Sequence, residues 1–175
     1  MDHQSILFPE EGGQHADTGI LEMNENGQIK QVKVLDGQII NGEVVYEVSN
    51  AIKENTAVLC KLDWAHRFDK MQNHSGEHIL SGLIHNTFGF NNIGFHLSDD
   101  GPVTLVCDGV LTKEQVSELE LETNKIIYAN LPIVDTYPTK EELETISYRS
   151  KIEIDGQVRL TKVKMMSLRI FLNMI

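Results

Sequence analysis

The sequence predicts an α+β fold, in which a small β-barrel-like subdomain precedes an α/β subdomain built on an antiparallel sheet. Residues 1–62 contain short runs rich in Val and Ile, separated by Asn-Gly and Asp-Gly pairs that are typical of tight hairpins. From residue 63 onward, apolar residues recur at helical spacing, and capping residues precede several of these stretches. We therefore expect a boundary at residue 62, with subdomains 1–62 and 63–175.

The first subdomain is expected to contain strands joined by hairpins. Turns are predicted at the pairs Asn26-Gly27, Asp36-Gly37 and Asn41-Gly42, because these residues tolerate a positive φ. The predicted strands are residues 29–35, 44–48 and 57–62. Residues 5–17 resemble the middle of a β-structure, so we expect the subdomain to be truncated at its start, with a partner strand missing upstream.

Capping residues mark the helices of the second subdomain. Asp63 is expected to cap a helix over residues 64–71, and Asn73 to cap another over residues 74–88 that ends at Gly89. Capping boxes at residues 112–115 and 139–142 predict two more helices, the first reaching about Asn130. Strands are expected near residues 94–97, 103–107, 133–137, 152–154 and 157–163, with the Asp155-Gly156 pair as a hairpin turn between the last two.

Length and composition restrict the class of protein. The chain has 175 residues, of which 41% are hydrophobic, enough for a core in one domain or two small ones. Its apolar runs are shorter than the ~20 residues that cross a bilayer, and its first residues lack the pattern of a secretory signal. The two cysteines, Cys60 and Cys107, do not make a disulfide framework, so we expect a cytoplasmic protein without membrane contact.

The charge is unevenly distributed. A net charge of −11 disfavours nucleic acid as a partner of the whole surface. Residues 149–175 nevertheless contain six basic and two acidic residues, a local net charge of +4. This segment can neutralise phosphates, so composition leaves RNA binding open, as it does the oligomeric state.

The segment from Asn73 to Leu80 carries the most specific chemistry. Its His74 and His78 are four positions apart at the start of an apolar helical run, so both imidazoles lie on one helix face. Two such histidines are half of a tetrahedral zinc site. The small residues Ser75 and Gly76 between them suggest that something approaches the helix closely.

The same segment also matches H-x-x-E-H, the motif of inverted zincins. In that interpretation Glu77 is the general base of a metalloprotease, and a downstream acidic residue completes the metal site. Candidates for that third ligand are Glu118, Glu120 and Glu122. Inverted zincins are much larger proteins, however, and we expect Glu77 to be a solvated residue beside the site.

A second motif lies near the N-terminus, where Gly12, Gly13 and Gln14 are followed by Asp17-Thr18-Gly19. Adjacent glycines permit a positive φ and let backbone N–H groups approach a ligand, and Gln14 can hydrogen-bond a small polar group. A tight turn between strands explains the same glycines equally well.

Together the two motifs resemble the editing domain of alanyl-tRNA synthetase, and most closely its free-standing AlaX-type relatives. The resemblance covers essentially the whole chain. Other matching residues are Asp63, Trp64, Arg67, Met71 and those at positions 93–96, 148–150 and 154–160.

The resemblance implies a zinc-dependent trans-editing hydrolase that maintains translation fidelity. Such proteins cleave the ester that joins a wrong amino acid, serine or glycine, to the acceptor end of tRNA(Ala). His74 and His78 correspond to two zinc ligands, and Gly13 and Gln14 to the border of the amino-acid pocket. Ser5 stands where the family often carries a Thr that recognises serine. Arg149, Lys151 and Arg159 are the candidate tRNA contacts in the basic segment.

The sequence departs from the family in its second pair of zinc ligands. The family supplies them from a C-x-x-x-H motif, which is absent here: Cys60 and Cys107 have no His four residues on, and we expect both to be core thiols. His96 is a candidate third ligand, although a strand residue lining the cleft is the preferred interpretation. The expectation is an incomplete zinc site in a truncated, frameshifted or split gene product, with a non-catalytic remnant that binds tRNA weakly as the alternative.

Overall fold

The computed structural model describes residues 5–97, 101–146, 158–164 and 169–172. All strand pairings among these residues are antiparallel, which confirms the predicted α+β class with antiparallel sheets. The chain divides into two compact units, Met1–His74 and Ser75–Ile175. The division falls inside a helix, and the boundary at residue 62 stays a prediction.

The first unit contains one four-stranded sheet. Its strands are β1 (Gly19–Glu25), β2 (Gln28–Ile40), β3 (Glu43–Val48) and β4 (Leu59–Leu62), in the spatial order β3-β2-β1-β4. Two predicted hairpin turns are confirmed, because Asn26-Gly27 and Asn41-Gly42 join neighbouring strands with a positive φ at all four residues.

Two expectations for this unit are wrong. The predicted barrel-like form is not observed, because the sheet is open in the described residues, with β3 and β4 at its edges. The pair Asp36-Gly37 is not a turn either, since both residues lie within β2, just after a bulge, and Gly37 pairs with Tyr46. A Cβ on Gly37 would lie 2.9 Å from the Tyr46 ring, so the glycine makes room for a cross-strand aromatic side chain.

A single helix, α1 (Trp64–Phe88), replaces the two that were predicted. Asp63 caps it as expected, with Oδ1 accepting from the His66 N–H at 3.1 Å. Asn73 caps nothing, since its Nδ2 donates to the Asp69 carbonyl one turn earlier at 2.9 Å. Gly89 ends the helix with φ +74°, as predicted. An Asn that satisfies its side chain within the helix need not interrupt it.

The second unit contains the rest of α1 and the seven described strands and helices that follow it. These elements are β5 (Asn92–His96), β6 (Thr104–Cys107), α2 (Lys113–Tyr128), β7 (Ile133–Thr136), α3 (Lys140–Leu143), β8 (Leu160–Lys164) and β9 (Arg169–Leu172). Strands β5 and β6 form a hairpin, and β7-β8-β9 form a second sheet. The sequence did not predict β9, and the predicted Asp155-Gly156 hairpin lies outside the described residues.

Both capping boxes are confirmed at the starts of α2 and α3, where Thr112 and Thr139 accept from the N–H of Gln115 and Glu142. The core of the unit is formed by apolar residues of α1, α2 and β8. Its buried members are Ile79, Leu83, Ile84, Leu119, Ile126 and Val163. No helix among the described residues is long and apolar enough to cross a membrane.

Candidate metal centre

Three side chains on one turn of α1 bring metal-binding atoms together. His74, Glu77 and His78 each place one such atom within 4.8 Å of the others. The spacing i, i+3 and i+4 accounts for this convergence, because these positions share one face of a helix. In the part of the chain that the structure describes, no other group of three His, Cys, Asp or Glu side chains converges in this way.

The glycine motif forms a tight turn that holds Gln14 against the first of these histidines. Gly12 and Gly13 both have a positive φ, +61° and +84°, while the backbones of Glu11 and Gln14 hydrogen-bond to each other at 3.0 and 3.2 Å. Gln14 Oε1 then lies 3.3 Å from His74 Nδ1. The turn interpretation therefore holds for the glycines, and the turn places a polar side chain at the candidate metal site.

Glu77 is buried rather than solvated, so that expectation is wrong. Its side chain is 4% exposed, and its Oε2 lies 3.4 Å from His78 Nδ1. Its Oε1 accepts a hydrogen bond from Asn92 Nδ2 on β5. A buried carboxylate needs such partners, because removing a charge from water is costly.

Sequence reasoning missed Asn92, whose side chain is held at both ends. While Nδ2 donates to Glu77, Oδ1 accepts from the Gly94 N–H at 2.9 Å. The residue lies at an irregularity of the β5–β6 pairing, between Asn92 and Gly94. No motif marks this position, since an Asn at the edge of a short strand is also a common turn residue.

A buried ion pair anchors the segment that carries Gln14. The Asp17 carboxylate, 2% exposed, accepts from Arg67 Nε at 2.5 Å and from Arg67 Nη2 in a bidentate pair. It also accepts from the Phe8 N–H at 2.6 Å. The hydrogen bond to Asp17 raises the pKa of Arg67 despite its partial burial. Helix α1 thus holds the loop in place one to two turns before His74.

The glycine of the Asp17-Thr18-Gly19 segment has a packing role. Gly19 opens β1 opposite Leu62 of β4. A Cβ there would lie 2.5 Å from the Lys61 carbonyl oxygen. The segment therefore supplies one buried charge and one close strand contact to the first unit.

The other predicted site residues lie as follows where the structure describes them. Ser5 is exposed, and its Oγ accepts from the Leu7 N–H at 3.1 Å. Arg159 is half-buried just before β8, whereas Arg149 and Lys151 lie outside the described residues. His96 is exposed on β5, as expected of a strand residue. The acidic candidates of the protease interpretation, Glu118, Glu120 and Glu122, are exposed on α2.

The two cysteines are partly buried free thiols. Burial raises the pKa of Cys107, and the charges of Asp108 and Glu77 raise it further. Burial, followed by the charge of Asp17, likewise raises the pKa of Cys60. Cys107 packs against the core of the second unit, which agrees with the expectation of a core thiol for that residue.

The donor set on α1 suits a zinc ion. Two imidazoles and one carboxylate make up a known set of protein ligands at catalytic zinc sites. The carboxylate of this set, Glu77, is already desolvated, which removes part of the cost of binding a cation there. His74 and His78 are thus the residues that can hold zinc in the described part of the chain, with the Glu77 carboxylate beside them.

The curated proteins that are similar in sequence to this chain include alanyl-tRNA editing proteins and alanine–tRNA ligases. No family model matches the sequence. The alanyl-tRNA editing protein AlaX-L of Pyrococcus horikoshii is 30% identical over 165 residues, which is 91% of this chain and 40% of that protein. The alanyl-tRNA editing protein Aarsd1-B of Xenopus laevis is 30% identical over 163 residues, 91% of this chain and 38% of its own length. An alanine–tRNA ligase of Thermococcus kodakarensis is 29% identical over 146 residues, 16% of its length.

Proposed function

Nine-tenths of this chain is related in sequence to the alanyl-tRNA editing proteins, and from that relationship we propose that it takes part in hydrolysing the ester between a wrong amino acid and tRNA(Ala). The chain spans about 40% of the length of the first two relatives, so the activity of a whole editing protein is part of the proposal. The observation that carries it is the cluster of His74, Glu77 and His78, which lies within the matched stretch.

In this proposal His74 and His78 hold zinc, with Glu77 as the nearest acidic group. A zinc ion held there supplies Lewis acidity toward an ester carbonyl or a water molecule. The protein positions the ion and its surroundings: Gln14 and Glu77 contact the Nδ1 atoms of the two imidazoles. Fixed rings of this kind restrict where the ester can lie, which is how orientation contributes to rate.

The amino-acid pocket is proposed to lie beside the glycine turn. Gln14 directs Oε1 at His74, so its Nε2 remains as a donor toward a bound amino acid. Gly13 adds backbone that a small ligand can approach, and Ser5 is the proposed hydroxyl that recognises serine. A pocket that hydrogen-bonds a hydroxyl separates serine from alanine far better than an apolar pocket can. We propose Ser-tRNA(Ala) as the main substrate, with Gly-tRNA(Ala) as the second.

The tRNA is proposed to contact the basic C-terminal segment through Arg149, Lys151 and Arg159. The rest of the chain is strongly acidic, so phosphate contacts are concentrated there. We propose that this hydrolysis takes place in the cytoplasm, where tRNA is aminoacylated.

The direct test is deacylation of Ser-tRNA(Ala), Gly-tRNA(Ala) and Ala-tRNA(Ala) by the purified chain, with and without added zinc. We expect hydrolysis of the first two, its loss in His74→Ala and His78→Ala, and no effect of His96→Ala, a control histidine outside the cluster. Zinc stoichiometry is measured on the same samples. Binding of tRNA without turnover at full zinc occupancy would identify a non-catalytic binding protein instead.

The protease alternative is tested with the same preparations. Peptide cleavage that is lost in Glu77→Gln, with the tRNA ester left intact by every variant, would establish a metalloprotease. We expect no such cleavage, because Glu118, Glu120 and Glu122, the acidic ligands it would need, are not in the cluster.

A further inference from the structure

We propose that Asn92 and Glu77 form a positioning relay that sets the tautomer and orientation of His78, so that Nε2 is its metal-binding nitrogen. This inference rests on the proposed function, in which His74 and His78 bind zinc. Within that function it assigns roles to two residues that the H-x-x-x-H motif does not define. Neither residue touches the substrate in this proposal, and both act through His78.

The first step is the burial of Glu77. Its side chain is 4% exposed, yet each carboxylate oxygen has a polar neighbour. Oε1 accepts a hydrogen bond from Asn92 Nδ2, and Oε2 lies 3.4 Å from His78 Nδ1. Since a desolvated carboxylate is stable only with such partners, its orientation is determined by the two groups together. The carboxylate therefore cannot rotate without breaking one of these contacts.

The second step concerns the proton on His78. A neutral imidazole carries one proton, and the ring nitrogen that faces a carboxylate oxygen is the one that keeps it. Nδ1 of His78 is 3.4 Å from Glu77 Oε2, so the proton belongs on Nδ1 and the lone pair on Nε2. Metal-binding histidines usually have this arrangement, in which the other ring nitrogen donates to a carboxylate or carbonyl.

The third step is the support of Asn92 itself. Its Oδ1 accepts from the Gly94 N–H at 2.9 Å, which directs the amide Nδ2 at Glu77. The local irregularity of β5 between Asn92 and Gly94 allows this backbone contact. The relay thus runs from a strand backbone, through two side chains, to a ring on α1.

The other histidine shows a related arrangement. Gln14 Oε1 lies 3.3 Å from His74 Nδ1, so a side-chain oxygen again faces Nδ1. A neutral amide faces one ring and a carboxylate faces the other. The carboxylate that faces His78 increases the basicity of its Nε2.

The tautomer of His78 tests the relay without any metal. In the metal-free protein, at a pH where the ring is neutral, nitrogen NMR should show His78 protonated at Nδ1. Asn92→Ala and Glu77→Gln should both reduce this population, since Gln has one acceptor oxygen for two donors. Asn91→Ala is the matched control, because Asn91 bonds to Asp108 and not to the cluster. Glu77→Gln is nearly isosteric, which keeps the test valid should Asn92→Ala fail to fold.

Zinc affinity is the second measurement, made by competition with a chelator, with Co²⁺ spectra as a report on the ligand field. We expect Asn92→Ala and Glu77→Gln to weaken zinc binding by roughly 10–100-fold, as loss of an outer-shell partner does. Asn91→Ala should bind zinc as the wild type does.

Two results would overturn the relay. One is wild-type affinity together with an unchanged His78 tautomer in Asn92→Ala. The other is complete loss of zinc in Glu77→Gln with no change in Asn92→Ala, which would make Glu77 a direct ligand. If the wild-type chain binds no zinc, the proposed function fails, whereas the tautomer measurement still decides whether the relay exists.

Discussion

At the scale of single residues, the ion pair between Asp17 and Arg67 attaches the segment that carries Gln14 to helix α1. Asp17 is 2% exposed and Arg67 19%, and the two are joined by a bidentate contact. Arg67 Nη2 also donates to the Ile6 carbonyl at 3.2 Å, so one guanidinium holds two points of the segment that carries Gln14. The stability of this loop therefore depends on a charge that is nearly buried.

Arg67→Met should destabilise the protein by about 3 kcal/mol, because it leaves the Asp17 carboxylate buried without its cation. Urea unfolding measures the loss. Lys61→Met is the control, since it removes the cation of the more exposed Glu22–Lys61 pair and should cost much less. Equal losses of unfolding free energy in the two variants would show that the Asp17–Arg67 pair stabilises the protein no more than the exposed pair does.

At the scale of secondary structure, the continuity of α1 decides the geometry of the site. A break at Asn73 would have separated the two halves of the helix just before His74. In the structure the helix runs from Trp64 to Phe88 without interruption, so the helix that holds Arg67 also holds the metal cluster. Gly76 lies in the middle of this helix. A Cβ added at this position would have no described atom within 4 Å.

Gly76→Ala should therefore stabilise the protein by about 1 kcal/mol, the difference in helix propensity between the two residues. Deacylation should be unchanged, because position 76 lies on the helix face opposite His74, Glu77 and His78. Urea unfolding and initial rates on Ser-tRNA(Ala) measure the two effects. Gly89→Ala should instead destabilise, since its φ is +74°. Slower deacylation by Gly76→Ala would show instead that a ligand reaches this face of the helix.

At the scale of the whole molecule, the distribution of charge determines how a polyanion can bind. The net charge is −11, yet residues 149–175 carry +4. The acidic remainder of the chain repels tRNA at long range, whereas the basic segment attracts phosphates at short range. Binding of tRNA through the basic segment must therefore depend on the salt concentration.

The affinity for tRNA(Ala) should fall as the salt concentration rises, with a logarithmic slope of about −2 to −3 if Arg149, Lys151 and Arg159 each contact one phosphate. Arg159→Gln should reduce the magnitude of that slope by about 1. Lys61→Gln, which changes a lysine paired with Glu22 in the first unit, should leave the slope unchanged. A slope that is the same in the wild type and Arg159→Gln would exclude Arg159 as a phosphate contact.

The local features of the fold were predictable because they depend on neighbouring residues. Capping at Asp63, Thr112 and Thr139 and the turn at Asn26-Gly27 each follow from residues within a few positions of one another. The same local rules misplaced a cap at Asn73 and a turn at Asp36-Gly37. At Asn73 a bond to the Asp69 carbonyl, one turn earlier, satisfies the side chain inside the helix, and at Gly37 the cross-strand Tyr46 ring fills the space beside the backbone.

By itself the sequence determined the α+β class, the pairing of His74 with His78 on one helix face and the relationship to alanyl-tRNA editing proteins. Only the tertiary structure decided what surrounds that pair. Gln14 is 60 residues from His74, Arg67 is 50 from Asp17, and Asn92 is 15 from Glu77. Helical spacing determines which side chains share a face, whereas burial of Glu77 and its partners depends on which strand packs there, and no local pattern encodes that choice.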